Sequence, residues 1–373
     1  MKSLGDLEAW VLNQVIGPKL FIIDHPGYLY SKFTVGHDDV FQRIVFFPEN
    51  ILIEIEEKIQ KKYGREGLQR LYSAGKKFGY AFAAKLKVPT AKTANNTFVE
   101  AGFNLLLTYI LGDWYSKQAK VAVSISKKEL KIQLDSFIAC PKNGFGYFLT
   151  SGGATGIWAW AINDKTVEGT QIKCQGRGDS FCEVLIAEKE KIAKIDKNYF
   201  EEHEINYNYN QEYYDFNAPV QKATDRKSLQ ILFDTGLFTI DKKIITYKKT
   251  RFFPIEIGAI YYLEKEINKL PDGKNILFQS AYDHMKELSK DEKDNSFLED
   301  FLTALGYGIV YVNEEKDLKI ISKNFLWMDK NNESEIFKGM VSGLISGIKK
   351  KDKLLKRMQL DIYEGTYEAS VRE

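Results

Sequence analysis

The stretch Cys174-Gln-Gly-Arg-Gly-Asp-Ser-Phe-Cys182 lies between two runs of residues that are typical of β-strands. The preceding Gln171-Ile-Lys173 and the following Glu183-Val-Leu-Ile186 predict the antiparallel arms of a hairpin, with the Gly-x-Gly segment at its turn. The stretch holds two of the three cysteines of the chain. A hairpin of this kind directs both thiols toward one point.

From the spacing alone, three interpretations of these thiols are open. Two thiolates can supply half of a tetrahedral zinc site, which normally has four ligands. They can also form a redox pair, or pack as small apolar side chains. A third thiol, Cys140, is expected on a strand that leads into the same part of the chain, and His25, His37 and Glu168 are further candidate ligands.

The composition indicates a soluble globular protein with more than one domain. The chain has 373 residues, 44% of them hydrophobic and 28% charged, and a single core rarely grows beyond about 250–300 residues. The net charge of +2 gives no reason to expect a nucleic-acid partner. Because cysteines are few, and because neither a signal peptide nor an apolar run of roughly 18 residues is recognisable, we expect a cytoplasmic protein without a membrane span.

Hydrophobic periodicity predicts the elements that precede the hairpin. Apolar residues recur first at helical spacing and then in strict alternation. In chain order, the sequence predicts helices at about 51–59 (with Asn50 as N-cap), 66–86 and 97–114, strands at 121–125 and 130–134, and a glycine-rich helix at 148–162.

The second half of the chain repeats the pattern of the first. Matching segments recur in the same order: Arg251-Phe-Phe-Pro254 with Val45-Phe-Phe-Pro48, Phe297-Leu-Glu299 with Phe98-Val-Glu100, and Leu318-Lys-Ile320 with Leu130-Lys-Ile132. A glycine-spaced helix returns at 339–347 and a final hairpin at 360–371. The sequence therefore predicts a first domain over 1–195, a linker over 196–227 and a shorter, degenerate second domain over 228–373.

The glycine-rich helix and the hairpin together resemble the 4-vinyl reductase domain. The resemblance rests on Gly152-Gly-Ala-Thr-Gly-Ile-Trp158 and on the stretch from Cys174 to Cys182. The upstream segment 63–79 is similar to the region that precedes this domain in aromatic-sensing bacterial regulators. The resemblance implies a small-molecule-binding α+β domain, with helices on one side of an antiparallel sheet, in a fold similar to TRAPP vesicle-tethering subunits. We expect both copies to adopt it.

The resemblance also implies a zinc site with four ligands. In the zinc-binding members of the family, these are the two hairpin thiols, a carboxylate three positions before the first, and a thiol on the preceding helix. Cys174 and Cys182 match, whereas Gln171 and Phe148 stand at the other two positions. Zinc binding therefore depends on whether Cys140 completes the site.

The second copy lacks the thiols of the first. Leu360 and Glu368 stand at about the positions of the two hairpin cysteines. We expect no metal in this copy, and a role in dimer-like packing or in binding a partner.

Aromatic residues of the first copy form the candidate ligand site. Small-molecule pockets are mostly apolar, with few polar groups. Gly75, Gly79, Gly152 and Gly156 leave space in which a small ligand could bind, although glycines also permit tight packing. The alternative is ordinary core packing. The candidate ligand-binding residues are Phe78, Phe82, Phe103, Tyr109, Trp158 and Trp160.

Catalytic signatures are missing from the sequence. The four histidines have no H-x-x-x-H spacing, and neither a Gly-x-Ser-x-Gly elbow nor a phosphate-binding loop occurs. We therefore favour a non-enzymatic, cytoplasmic sensor that binds a small hydrophobic or aromatic molecule and acts through a protein partner or as a homodimer. The alternatives are a structural adaptor of TRAPP-subunit-like fold and a reductase accessory of tetrapyrrole metabolism.

Overall fold

The protein has an α+β fold of two domains. The computed structural model describes residues 22–35, 38–92, 94–205, 227–241, 244–314, 318–323, 334–361 and 366–372. Within these residues the chain forms three antiparallel sheets and ten α-helices.

The described residues of the first half of the chain form seven strands and five helices. Two π-helical segments, Leu111–Tyr115 and Tyr147–Gly153, continue or precede helices of this half. The elements are β1 Ile22–His25, β2 Tyr28–Val35, β3 Asp38–Pro48, α1 Glu49–Lys85, α2 Asn96–Ile110, β4 Gln118–Ser124, β5 Glu129–Asp135, α3 Cys140–Asn143, α4 Ala154–Ala161, β6 Val167–Lys173, β7 Cys182–Glu188 and α5 Lys189–Ile195.

The second half contributes the same number of strands and helices. Its elements are α6 Leu229–Asp234, β8 Thr239–Asp241, β9 Ile244–Tyr247, β10 Thr250–Glu256, α7 Ile257–Ile267, α8 Gly273–Ser289, α9 Asn295–Ala304, β11 Ile309–Asn313, β12 Lys319–Lys323, α10 Glu335–Lys349, β13 Leu354–Asp361 and β14 Thr366–Arg372.

The first two predicted helices are the two segments of α1, which meet at a kink. It begins at Glu49, directly after Pro48, so the prediction of Asn50 as N-cap was wrong by two positions. Gly64 interrupts the helix with a φ of 53° and a ψ of −127°. Glycine adopts a positive φ at little steric cost, so Gly64 leaves helical geometry and forms the kink between two helical segments.

The hairpin that carries two cysteines is present as predicted. Strands β6 and β7 pair antiparallel, with Gln171 opposite Val184. They form one edge of a four-stranded sheet in the order β4-β5-β7-β6. The second half builds a sheet of the same order from its own strands, β11-β12-β14-β13.

A pair of glutamates gives structural support to the predicted repeat. Glu100, on α2, accepts a hydrogen bond through Oε1 from the backbone N–H of Ile125 at 2.6 Å. Glu299, on α9, accepts the corresponding bond from the N–H of Val312, also at 2.6 Å. Both residues belong to the matching Phe-x-Glu segments. The equivalent glutamates therefore make the same hydrogen bond, which joins a helix to the sheet beside it in each half of the chain.

The third sheet was not expected, because it is built by both domains. Its order is β1-β2-β3-β10-β9-β8, and the central pair joins the first half of the chain to the second. Phe47 stands directly opposite Phe253, and their rings lie 6.0 Å apart. These two residues are equivalent in the repeat. Equivalent residues meet across an antiparallel pair only where a local twofold axis relates the two segments.

Two arginines reinforce this junction. Arg251, on β10, donates hydrogen bonds to the carbonyl oxygens of Ser136 and Tyr115, each at 2.9 Å. Arg43, on β3, donates to the carbonyl of Gly27 at 3.0 Å and reaches that of Gly306 at 3.4 Å. Both side chains are buried. Arg251 thus binds two backbone carbonyls of the first domain, and Arg43 reaches one of the second.

Candidate ligand cavity and thiol cluster

The first domain contains a partly open apolar cavity of about 100 Å³. It lies between helices α1 and α2 on one side and the β4–β7 sheet on the other. Phenylalanine, leucine, isoleucine and valine side chains supply most of its wall. The helices contribute Phe78, Phe82, Phe103 and Leu107, and the strands contribute Ile132, Leu134 and Val184.

Three of the candidate ligand-binding aromatics line the cavity. Phe78 and Phe82, one helical turn apart on α1, have ring centroids separated by 5.6 Å. Phe103 approaches from α2. All three present apolar faces to the cavity.

The two candidate tryptophans lie in other surroundings. Trp158 is fully buried behind Phe103, with ring centroids 5.7 Å apart, and its Nε1 donates to the carbonyl of Lys128. Trp160 packs edge-on against Tyr80 and donates to the carbonyl of Val88. Neither ring is part of the cavity wall described above. The side chain of the sixth candidate, Tyr109, lies outside the described residues.

The paired glycines allow two helices to touch rather than making room for a guest. A Cβ on Gly75 would lie 1.9 Å from the carbonyl oxygen of Phe148, and one on Gly79 would lie 2.0 Å from that of Gly153. A Cβ on Gly156 would lie 2.1 Å from the carbonyl of Lys76. Real Cβ atoms do not approach so closely. These glycines bring α1 into backbone contact with the π-helical segment and α4.

Polar residues also line the cavity, and one of them belongs to the second domain. Glu256, the last residue of β10, lines the cavity beside Ile255. Its Oε2 accepts from the N–H of Gly258 at 2.8 Å and so caps helix α7. Burial and the negative charge of Glu256 raise the pKa of Tyr115, which lines the same cavity. Sequence reasoning missed Glu256, although its place just before a helix marks it as an N-cap.

The three cysteines form one buried cluster. The Sγ atom of Cys140 lies 3.1 Å from that of Cys174 and 3.1 Å from that of Cys182. All three thiols are free and fully buried. The sequence placed Cys140 on a strand, which is wrong: it opens the short helix α3, in which Pro141 follows it. The chain reversal at Ala139, with a φ of 58°, turns this thiol toward the hairpin.

Gln171 and Phe148 border the cluster at the positions where the family resemblance implies ligands. Gln171 donates through Nε2 to the Sγ of Cys140 at 2.7 Å. Phe148 is completely buried. Hydrogen bonds from Cys140 and Cys182 lower the pKa of the Cys174 thiol. The cluster therefore favours a thiolate at Cys174, stabilised by its two neighbours.

This cluster has the chemistry of a metal site. The three sulfur atoms lie within 4.8 Å of one another, and thiolates are preferred ligands of zinc and other soft metals. The other candidates are placed elsewhere. Glu168 is bound to Lys76, His25 lies on β1 beside Tyr30, and His37 is outside the described residues.

A buried charged cluster that the sequence did not reveal lies on the polar side of α1. Lys76 Nζ lies 2.8 Å from Glu168 Oε1, and the hydroxyl of Tyr72 donates to Glu168 Oε2 at 2.6 Å. All three side chains are fully buried. Burial raises the pKa of Glu168 and lowers that of Lys76, and the ion pair opposes both shifts.

The described part of the predicted linker covers this charged cluster. The N–H of Glu202 donates to Glu168 Oε1 at 3.0 Å. Gln69 donates to the carbonyl of Glu201, and Arg65 to that of Asn198, each at 2.8 Å. Residues 198–205 thus lie along α1 as part of the first domain. The rest of the predicted linker, 206–226, is outside the described residues.

Comparison with known proteins yields distant structural similarities alone. None of the helices in the described ranges combines the length and apolar character that a membrane crossing requires. No family model matches the chain, and no curated protein matches it. A crystal structure of the phenol-responsive sensory domain of the transcription activator PoxR, with phenol, aligns at 14% identity and a TM-score of 0.30, over 43% of this chain and 82% of that one. The resemblance to the 4-vinyl reductase domain therefore stays a prediction.

Proposed function

We propose that this protein is a sensor-type binding protein, which holds a small hydrophobic or aromatic molecule inside its first domain. The observation that carries the proposal is the apolar cavity of about 100 Å³ between α1, α2 and the sheet. Protein interiors are close-packed and contain few voids larger than a water molecule. An apolar cavity of about 150 Å³ is known to stay dry and to bind benzene. The size and lining here suit a ligand of one ring.

The position of the cavity suggests how binding would be signalled. Ile255 and Glu256 of the second domain complete its wall, and both lie on the strand that pairs with β3. A bound molecule would contact both domains and stabilise their junction. We propose that a protein partner, or a second copy of the chain, responds to this change. The three unpaired thiols support a reducing, cytoplasmic location.

Titration of a single-ring hydrocarbon tests the binding function. We expect toluene to bind the wild-type protein with one site per chain in isothermal titration calorimetry. Ala154→Phe adds a ring at the cavity wall and should abolish binding without unfolding the protein. Ile195→Phe adds the same ring at an exposed position and should leave binding unchanged.

Absence of any bound aromatic molecule would contradict the proposed binding function. If neither toluene nor a larger aromatic binds, and if native mass spectrometry of freshly purified protein shows only the bare chain mass, the interior is a filled core. The function would then lie on the surface, as in a structural adaptor.

We also propose that the thiol cluster holds a zinc ion. Cys140, Cys174 and Cys182 would supply three thiolates. Three buried sulfur atoms within 4.8 Å of one another support this assignment. When bound, zinc would tie α3 to the hairpin. Zinc in a structural role stabilises the fold that provides its ligands.

Metal analysis tests the zinc proposal. We expect about one zinc per chain in wild-type protein, and loss of most of it in Cys140→Ser and in Cys174→Ser. Cobalt substitution should produce the intense near-ultraviolet absorption of thiolate ligation. Ser180→Ala, in the same hairpin, is the control and should retain the metal. Wild-type protein without stoichiometric metal, even after reconstitution under reducing conditions, would contradict the assignment.

A further inference from the structure

We infer that two hydroxyl groups, those of Tyr115 and Thr150, make the cavity selective for a neutral aromatic molecule whose substituent carries a hydrogen-bond acceptor, such as a carbonyl oxygen. Both residues belong to the first domain and line the cavity. The inference rests on the proposed function and specifies the class of ligand.

The two hydroxyls lie on the two π-helical segments that the structure describes. Tyr115 ends the segment Leu111–Tyr115, and Thr150 is the middle residue of Tyr147–Gly153. A leucine from each segment lines the cavity as well, Leu111 in the first and Leu149 in the second. π-helical turns are rare and occur frequently at functional sites. Both irregular segments therefore contribute to the wall of the same cavity.

Neither hydroxyl has a hydrogen-bond partner among the residues that the structure describes. A buried polar group normally has one, because leaving it unpaired is costly. Thr150 is only 4% exposed. The buried polar atoms that are shut off without a partner are others, such as the Tyr307 hydroxyl. The hydroxyls of Tyr115 and Thr150 thus retain contact with accessible space, where a ligand can reach them.

What these two groups lack is an acceptor for their protons. Each hydroxyl supplies one O–H donor. Tyr115 keeps its proton, because burial and the negative charge of Glu256 raise its pKa. A ligand that only donates would leave both protons unpaired, whereas a carbonyl oxygen has two lone pairs and can accept from one hydroxyl or from both. The wall therefore complements an acceptor.

The surroundings favour a neutral acceptor over an anionic one. Most of the cavity wall is apolar, and the carboxylate of Glu256 is part of it. An anionic ligand would lose its hydration in this environment and would meet a charge of the same sign. An aldehyde or ketone oxygen accepts a hydrogen bond without adding a charge.

The test compares two ligands of nearly the same shape. Benzaldehyde and styrene have the same number of non-hydrogen atoms and differ in a carbonyl oxygen against a methylene group. The measured quantity is the ratio of the styrene Kd to the benzaldehyde Kd, from isothermal titration calorimetry. Comparing this ratio between wild type and variant cancels the different transfer of the two ligands from water.

The variant is the double substitution Tyr115→Phe and Thr150→Val, which removes both hydroxyls and keeps the side-chain shapes. We expect the ratio to fall by about 3- to 10-fold, the size expected for loss of a hydrogen bond between neutral groups. Styrene should bind the variant at least as tightly as wild type, because it cannot use the hydroxyls. Benzoate should bind wild type more weakly than benzaldehyde, and tighter binding of benzoate would overturn the neutral class.

The ligand-free protein provides a second readout. If the hydroxyls have no partner, their removal breaks no hydrogen bond, and the double variant should melt at or above the wild-type temperature. A clear fall would show that they are paired within the protein and would overturn the inference.

Tyr80→Phe is the control for removal of a tyrosine hydroxyl. Tyr80 packs against Trp160 and is absent from the cavity wall described above, so the ratio should stay at the wild-type value. A ratio that changes by less than about twofold in the double variant, while styrene still binds, would overturn the role of the hydroxyls and leave the binding function standing. Failure of styrene, benzaldehyde and toluene to bind the wild type would overturn both.

Discussion

The two domains contain the same trio of a tyrosine, a lysine and an acid, in opposite surroundings. In the first domain, Tyr72, Lys76 and Glu168 are sealed inside the protein. In the second, the hydroxyl of Tyr282 donates to Asp352 Oδ1 at 2.6 Å, and Lys286 pairs with the same oxygen. There the lysine is 41% and the aspartate 71% exposed.

The difference comes from the covering segment. Residues 198–205 lie over the first trio and donate to its carboxylate through the N–H of Glu202. Asp352 instead precedes β13 on the surface. An exposed ion pair contributes little because water screens it, whereas a buried pair is costly to break because one charge is left without its partner. We therefore expect the buried ion pair of the first domain to contribute more to the free energy of unfolding than the exposed pair of the second.

The comparison also separates what the fold requires from what is particular to one domain. Close glycine contacts occur in both. A Cβ on Gly156 would meet the carbonyl of Lys76 at 2.1 Å, and one on Gly347 would meet that of Lys286 at 2.5 Å. The three thiols belong to the first domain alone. Helix packing is thus common to both copies, and the thiol cluster is an addition to one.

The largest expected difference in stability is the one between variants of the two lysines, Lys76 and Lys286. Lys76→Met leaves Glu168 buried without its ion-pair partner, and we expect it to lower the free energy of unfolding by about 3–5 kcal/mol. Lys286→Met removes an exposed pair, and we expect a change within about 1 kcal/mol. Urea unfolding at pH 7 measures both. Equal losses in the two variants would show that burial does not distinguish the trios.

Two buried glutamates on equivalent helices should give the domains different pH dependence. Burial raises the pKa of Glu56, on α1, to about 7, and that of Glu264, on α7, to about 8. A folded-state pKa above the unfolded value means that the folded protein holds the proton more tightly. The associated stability is complete below the unfolded pKa of 4.5 and is lost as pH rises through the folded pKa.

Glutamine variants of these residues test the pH windows. Glu264→Gln should remove a slope approaching 1.4 kcal/mol per pH unit between about 5 and 8, and Glu56→Gln a similar slope that ends near pH 7. The measurement is denaturant unfolding across this range, with Glu188→Gln, an exposed acid, as control. Variants whose stability runs parallel to wild type at every pH would contradict the assignment.

Alanine variants of two glycines, one from each domain, should differ in stability by a smaller amount. In Gly156→Ala the new methyl meets backbone, at the carbonyl of Lys76, and overpacking of this kind costs about 1–3 kcal/mol. In Gly347→Ala the nearest atom is the Ser289 hydroxyl at 2.1 Å, and the nearest backbone atom, the carbonyl oxygen of Lys286, is farther than in the first case, at 2.5 Å. We expect the first substitution to lower the melting temperature more than the second. The reverse order would show that the helix pairs are not packed as described.

The sequence was sufficient for features set by local pattern. Two strand-like runs on either side of a Gly-x-Gly turn predict the β6–β7 hairpin, and the strands pair as expected. Matching segments also identify Glu100 and Glu299 as equivalent residues, and both make the same bond to a neighbouring strand.

Other features depend on contacts between distant parts of the chain. No local signal shows that β3 pairs with β10, since Phe47 and Phe253 lie 206 positions apart. The same limit applies to the burial of Lys76. Its place on the polar face of a helix predicts an exposed side chain, but the segment that covers it lies more than a hundred residues further along the chain. For the same reason, the sequence does not predict that Glu256 lines the cavity of the first domain, because its strand reaches that domain through the pairing with β3.

An anomalous diffraction experiment tests the central claim most directly, that the first domain holds a single-ring molecule in its interior. Crystals soaked with bromobenzene, which is close to toluene in size, would be measured at the bromine absorption edge. We expect one bromine peak inside the cavity, among Phe78, Phe82 and Phe103, and none in Ala154→Phe crystals. Bromine found only at the surface, or an empty cavity at saturating ligand, would contradict the account.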